Sequence, residues 1–249
     1  MSTMPPDAGQ ETIDELRRFG LRLIQPRSGY RFSLDPLLLC NFVGLKETQD
    51  SAIDLGTGCG IIPLVLARRY GIVHAVGVEC QPGLADLACR NVEINGSGSL
   101  VDILCDDILH LRRRFPASSF DLVVANPPYR QAGTGRVSPH AGRDLARHES
   151  TAGLADFLSM AKYLVRPGGR ICFIYHPSRM AEFVAAAREL KLALVRLRFV
   201  HGTVDSEARM FLVELVKGSK AETTVLPPLV IYGEDGEYTP EADGILGVA

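Results

Sequence analysis

From residue 51 onward the chain alternates short apolar runs with segments whose apolar residues recur every three to four positions. The short runs 52–55, 74–78, 101–104 and 120–125 read as strands. Residues 61–70 and 82–95 read as helices, the second with apolar side chains at 84, 87, 88, 92 and 94, and a short helix is expected around 107–114. Further on, a helix over 152–165 stops at Pro167-Gly168-Gly169, followed by a strand over 170–175 and a helix over 178–190. The last two strands, 192–200 and 209–216, have only a loop between them. Ahead of this alternation, residues 1–10 read as a loose tail, Thr12 to Phe19 as a short helix, and residues 21–25 as a strand that stops at Pro26. Asp35-Pro36 then opens an apolar helix through Val43, with Asp as N-cap and Pro at the first helical position.

Strand–helix alternation implies parallel strands joined by right-handed crossovers. Two strands without a helix between them imply an antiparallel hairpin. The expected fold is therefore α/β, a doubly wound and mostly parallel sheet with an antiparallel hairpin at one edge.

Composition narrows the classes. At 46% hydrophobic residues, a chain of 249 can bury a full core, which excludes wholesale disorder. The net charge is −2, yet residues 221–249 carry six acidic and no basic residues, leaving +4 on residues 1–220. A mildly basic body permits a nucleic-acid substrate without requiring one. The six cysteines form no C-x-x-C pair and the six histidines show no metal spacing, so no metal site is expected. Such cysteines suit a reducing cytoplasm. No signal peptide and no stretch of transmembrane length is evident, so no membrane role is expected.

Asp54-Leu55-Gly56-Thr57-Gly58-Cys59-Gly60 closes the first strand of the alternation and opens the first helix. Glycines there let backbone approach a ligand at the carboxyl end of the sheet. The spacing is G-x-G-x-G, unlike the G-x-G-x-x-G of dinucleotide binders. Glu79 ends the second strand, where a carboxylate can accept both hydroxyls of a ribose. Asp107 follows the third strand, where it can meet an adenine edge; Asp106 can serve instead, or either can be a helix cap. An adenosine cofactor without an obligatory pyrophosphate fits, and S-adenosylmethionine is the expected one. Cys59 reads as a small spacer, since no histidine neighbour activates it.

Asn126-Pro127-Pro128-Tyr129 closes the fourth strand. The lone pair of a planar amine or amide nitrogen is delocalised, so the nitrogen is a poor nucleophile. An Asn oxygen and the Pro127 carbonyl can accept its two N–H bonds and turn the lone pair toward an electrophilic methyl. Two prolines limit reorganisation, and Tyr129 offers a face for stacking.

These motifs resemble class I S-adenosylmethionine-dependent methyltransferases acting on nitrogen. Gly29-Tyr30-Arg31-Phe32-Ser33-Leu34-Asp35, Arg147-His148-Glu149 and the stretch from Leu226 to Tyr232 resemble, more narrowly, the bacterial valine-tRNA adenine-N6 methyltransferase family. The resemblance spans roughly residues 20–240. It implies a seven-stranded Rossmann-like sheet, and catalytic roles for Asn126, Pro127, Pro128 and Tyr129. It implies cofactor contacts from Asp54, Gly56, Thr57, Gly58, Cys59, Gly60, Glu79 and Asp107, and a lid of Phe32, Ser33 and Asp35. The chain then divides into an N-terminal extension with lid element (1–49), a catalytic domain (50–219) and an acidic C-terminal extension (220–249).

The expected reaction is methyl transfer to the exocyclic N6 amine of an adenine in RNA, tRNA first, by a cytoplasmic monomer or weak dimer. Protein-glutamine methylation and guanine-N2 methylation of ribosomal RNA use similar chemistry. A nucleotide-binding regulatory module is the non-enzymatic alternative. The polar stretch from Arg130 to Glu149 carries Gly133, Gly135 and Gly142, and reads as a substrate lid with Arg130, Arg136, Arg143 and Arg147 as RNA contacts. Arg112-Arg113-Arg114 reads as a solvated helix face.

Overall fold

The computed structural model describes residues 9–28, 31, 33–44, 51–128 and 152–246. Gly29, Tyr30, Phe32, Tyr129 and the whole stretch from Arg130 to Glu149, with its four candidate arginines, lie outside the described residues.

Five parallel strands build the centre: β3 (Ser51–Leu55), β4 (His74–Glu79), β5 (Val101–Cys105), β6 (Phe120–Ala125) and β7 (Val165–Tyr175). Their spatial order is β7-β6-β3-β4-β5, and the antiparallel pair β8 (Leu192–His201) and β9 (Ala208–Lys217) extends it beside β7. These are the seven expected strands. The sheet has two more members, the two-residue strands β10 (Thr224–Val225) and β11 (Leu229–Val230), both parallel to β8. Pro227 and Pro228 separate them because proline has no N–H to give to a ladder. Arg198 bridges the gap by donating from Nε to the Pro227 carbonyl at 2.9 Å.

One face is covered by α1 (Asp35–Val43), α2 (Ile61–Tyr70), α3 (Pro82–Ile94) and α6 (Pro240–Leu246). The other is covered by α4 (Leu154–Leu164), α5 (Met180–Glu189) and a 3-10 helix, Ile108–Arg113. The two inner faces follow the strand pleat: Ala52 and Ala75 face the first layer, and Ile53, Leu55, Val76 and Val78 the second.

The segment from Thr12 to Phe19 is not a helix. Glu11–Leu16 forms β1, paired residue by residue with β2 (Leu21–Pro26), and only Arg17–Phe19 closes as a 3-10 turn. Ile13 and Leu16 have helical spacing, but pairing with β2 supplies backbone partners that an isolated eight-residue helix would not retain. The cap of α1 also differs. Leu34 is the N-cap, Asp35 and Pro36 are already helical, and the Asp35 N–H donates to Ser33 Oγ at 3.3 Å.

The hairpin β1–β2 is fastened to the body through α3. Asn91 Oδ1 accepts from Ile24 N at 2.7 Å and Nδ2 donates to Ile24 O at 3.2 Å; one turn on, Asn95 makes the same pair of bonds to Arg22 N and O at 2.9 and 2.7 Å. Four helical residues rise about 6 Å and two strand residues about 6.6 Å, so two asparagines four apart imitate a neighbouring strand. Arg90 adds a two-pronged ion pair to Glu11 at 2.8 and 2.7 Å.

Beneath α1 a buried ion cluster ties three strands to a helix end. Arg170 Nε and Nη2 donate to Glu214 at 2.9 and 3.0 Å, and Arg196 Nη2 reaches Glu214 at 2.7 Å and the Phe42 carbonyl at 2.6 Å.

Candidate active site

The chain enters the sheet at β3, builds outward through β4 and β5, then returns to β6 and β7 on the opposite side of β3. The carboxyl ends of β3 and β6 therefore flank the switch point of the sheet, where the diverging loops leave a crevice. Leu55 pairs with Ala125 across it, so the glycine turn and Asn126-Pro127-Pro128 leave from adjacent strand ends.

Gly56, Gly58 and Gly60 have φ of +78°, +57° and +82°, a backbone path that disfavours any residue with a Cβ. The turn is pinned to β4: the N–H groups of Gly56 and Thr57 both donate to the Val78 carbonyl, at 2.9 and 2.8 Å. Glu79, 5% exposed, closes the loop from the other side. Its Oε2 accepts from Gly58 N and its Oε1 from Gln81 N, both at 2.9 Å. A carboxylate oxygen has further lone pairs, so these bonds orient Glu79 without exhausting it as an acceptor.

Asp54 is 1% exposed. Neither of its carboxylate oxygens, nor the Thr57 hydroxyl, has a partner in hydrogen-bond geometry. Burial pushes its carboxyl up to about 7; the Thr57 hydroxyl works against that shift and the Glu79 charge adds to it. A buried carboxylate without a counter-charge is costly unless a cation arrives. The α-ammonium of an amino-acid ligand is such a cation, and the neighbouring Glu79 suits a ribose. The donor set therefore fits S-adenosylmethionine.

The remaining candidates fall in different places. Cys59 is buried in the turn, and burial first, with the charges of Asp54 and Glu79, pushes its thiol up to about 11, so it stays neutral. Asp107 caps the 3-10 helix, accepting from Leu109 N at 2.9 Å. Asp106 pairs with Arg114 Nε at 2.9 Å and meets His110 Nδ1 at 3.3 Å. Burial opposes ionisation of Asp106, but Arg114, the Asp107 N–H and His110 outweigh it and hold the carboxyl below its usual value. Arg114 thus has a structural partner. Ser33 is exposed and Asp35 half-buried at the start of α1, Asn126 is half-buried, Pro127 buried and Pro128 exposed.

Two residues escaped the sequence reading. Asn91, fully buried, spends its second Nδ2 hydrogen on the Cys59 carbonyl at 2.9 Å, so one amide holds both the hairpin and the glycine turn. Gly77 pairs with Asp54, and a Cβ there would lie 2.9 Å from the Thr57 side chain. Asn91 breaks the apolar face of α3, and a buried polar position inside an amphipathic helix was the available signal. Gly77 had no such signal beyond being a glycine inside a strand.

Among the described residues, no group of three or more metal-ligating side chains occurs, and no helix is long and apolar enough to cross a membrane.

A family model described as "Methyltransferase small domain" matches residues 36–183. A tRNA1(Val) (adenine(37)-N6)-methyltransferase of Porphyromonas gingivalis is 30% identical over 245 residues, covering 96% of this chain and 92% of the relative. The enzyme of the same name from Aliivibrio salmonicida is 28% identical, with 84% and 86% covered. Among solved structures, a predicted O-methyltransferase from Agrobacterium tumefaciens superposes with a TM-score of 0.70 at 22% identity, over 86% of this chain and 95% of that one. A geranyl diphosphate C-methyltransferase from Streptomyces coelicolor, solved with S-adenosyl-L-homocysteine, superposes at 0.54 and 16% identity, over 73% and 78%. These two likenesses concern the fold.

Proposed function

This chain belongs to the methyltransferase small-domain family, and from that premise we propose that it methylates the exocyclic N6 amine of an adenine in tRNA, with S-adenosylmethionine as donor. The names of its relatives point to adenine 37 of a valine tRNA. The observation that carries the reading is the switch-point crevice, where an unpartnered buried Asp54 and a loop-closing Glu79 stand beside Asn126-Pro127-Pro128.

Bound S-adenosylmethionine supplies an electrophilic methyl on a sulfonium. Asp54 holds the ammonium end, Glu79 accepts from the ribose hydroxyls, and the backbone of Gly56 to Gly60 takes the space beside them. Asp107 stands at the adenine edge, with Thr57 and Cys59 filling the turn and Phe32, Ser33 and Asp35 closing over the methionine end. Asn126 and the Pro127 carbonyl accept the two N–H bonds of the target amine and aim its lone pair at the methyl. As the new C–N bond forms, the nitrogen becomes acidic and releases a proton to water, so no strong base is required. Pro128 stiffens the strand end, and Tyr129 supplies the stacking face for a base exposed in a loop. Arg130, Arg136, Arg143 and Arg147 serve as phosphate contacts. All six cysteines are free thiols, which fits a cytoplasmic enzyme. We infer action as a monomer or weak dimer.

Incubation with methyl-labelled S-adenosylmethionine and total tRNA, then nucleoside analysis, tests the reading. N6-methyladenosine is the expected product. Asn126→Ala should keep cofactor affinity and lose about 100-fold or more in turnover. Methylated glutamine or N2-methylguanosine instead would reassign the substrate, and cofactor binding without turnover on any RNA or protein would point to a regulatory module.

A further inference from the structure

Around the 3-10 turn at Arg17–Phe19, arginines from three elements gather on one exposed surface. Arg18 belongs to the turn, Arg22 to β2, and Arg68 and Arg69 to the last turn of α2. Each is held, and none of the four holds is a carboxylate. Arg18 Nη1 donates to the Asp243 carbonyl at 3.2 Å, Arg22 Nη2 to the Ile94 carbonyl at 3.3 Å, and Arg68 Nη2 to the Gly20 carbonyl at 3.5 Å. The Arg69 guanidinium lies 5.8 Å from the centre of the Phe19 ring. The acids of the adjoining hairpin are matched separately: Glu11 by Arg90, Asp14 by Arg31 and Glu15 by Arg17. Tyr70, half-buried, feels the charges of both Arg18 and Arg69, which sets an aromatic ring among the cations.

A guanidinium fixed by a carbonyl keeps its full charge, and its remaining N–H groups stay available in a set direction. Four such groups on a convex surface are spread too widely for one small anion. They suit a chain of regularly spaced phosphates. α2 begins at the glycine turn and is ten residues long, so this surface lies about 15 Å from the cofactor end of the crevice along the helix. That separation is small beside a tRNA.

We propose that Arg18, Arg22, Arg68 and Arg69 form a second docking surface for the tRNA phosphate backbone, separate from the loop that follows Asn126. The inference rests on the tRNA substrate proposed above. It is tested with Arg18→Gln/Arg68→Gln/Arg69→Gln and the matching triple Lys variant, measuring binding of total tRNA by fluorescence anisotropy across a salt series. The Gln variant should bind about tenfold more weakly at 0.1 M salt. Its slope of log affinity against log salt should be shallower by about two to three, at roughly 0.9 per phosphate released. The Lys variant should recover most of that slope. Cofactor affinity and the melting midpoint should not move. An unchanged tRNA affinity and slope in the Gln variant, with wild type binding and methylating tRNA, would overturn this surface alone. If wild type binds no tRNA, the substrate reading falls and takes the surface with it. Weakened heparin binding with unchanged tRNA binding would mark a general anion patch and also overturn the proposal.

Discussion

Replacing Asn91 with leucine keeps the volume of the side chain and removes every hydrogen bond it makes. Three backbone groups then lose their partner: Ile24 N, Ile24 O and the Cys59 carbonyl, now bonded at 2.7, 3.2 and 2.9 Å. A buried polar group left unmade costs about 1–3 kcal/mol. Three at the low end give about 3 kcal/mol, and partial release of the hairpin limits the upper end to about 5. Against a typical stability of about 5–15 kcal/mol that is a large fraction. With a urea slope of about 2–3 kcal/mol/M, the midpoint should fall by about 1.5 M. Asn95→Leu is the control. Its bonds to Arg22 lie at the surface, where water replaces them, so its cost should be about 1 kcal/mol with cofactor affinity unchanged. Asn91→Leu should in addition weaken S-adenosylmethionine binding by calorimetry, because the glycine turn loses its tie at Cys59. If Asn91→Leu stays within 1 kcal/mol of wild type and binds cofactor normally, the amide is not the fastening described here.

The carboxyl of Asp54 sits near 7 in the fold, well above its usual 3.8, so the folded chain holds a proton that the unfolded chain gives up. The stability it contributes, up to about 4 kcal/mol, is full below about pH 4 and is lost as pH rises through 7. The melting midpoint of cofactor-free protein relative to Asp54→Asn should therefore fall between pH 5 and 8, while cofactor affinity rises toward pH 7 and loses that rise in the variant; parallel pH profiles for both proteins would contradict this. Glu79→Ala removes an acceptor for the ribose and also releases Gly58 N and Gln81 N, so cofactor affinity should drop by about 1.5–3 kcal/mol in calorimetry, and an unchanged affinity would remove Glu79 from the site. Glu214→Leu leaves Arg170 and Arg196 buried without their carboxylate and should cost about 3–5 kcal/mol in chemical unfolding, with kcat on tRNA retained in the fraction that folds; a cost below 1 kcal/mol would show that water reaches the cluster.

The central alternation was readable because each strand and helix there carries its own period and its own punctuation. Gly60 ahead of Ile61 and Gly71 after Tyr70 bracket α2, and both take left-handed backbone as expected of such ends. The glycine turn, Glu79 and Asn126 were readable because chemistry at strand ends needs particular residue types. The hairpin β1–β2 was not, because its conformation is decided by partners across the hairpin and on α3 that local periodicity does not contain. β10 and β11 escaped for the same reason: two-residue strands carry no period at all. The cost of burying Asp54 was also hidden, since a carboxylate looks the same in sequence whether or not it has a partner.

The two short strands laid along β8 have a consequence for the company this protein keeps. An outer strand as long as Leu192–His201, left bare, would be a template on which a second molecule could add its own strand. Here the template is occupied by fragments too short to be copied onward, and Pro227 and Pro228 interrupt the outermost row of amides. Arg198 locks the cover by gripping Pro227 and Glu241 together. The same acidic segment that carries no recognisable motif for catalysis thus acts as a guard against self-assembly. A chain cut before Thr224 should keep its crevice and lose its solubility, sedimenting as growing polymers while the freshly made protein still binds cofactor.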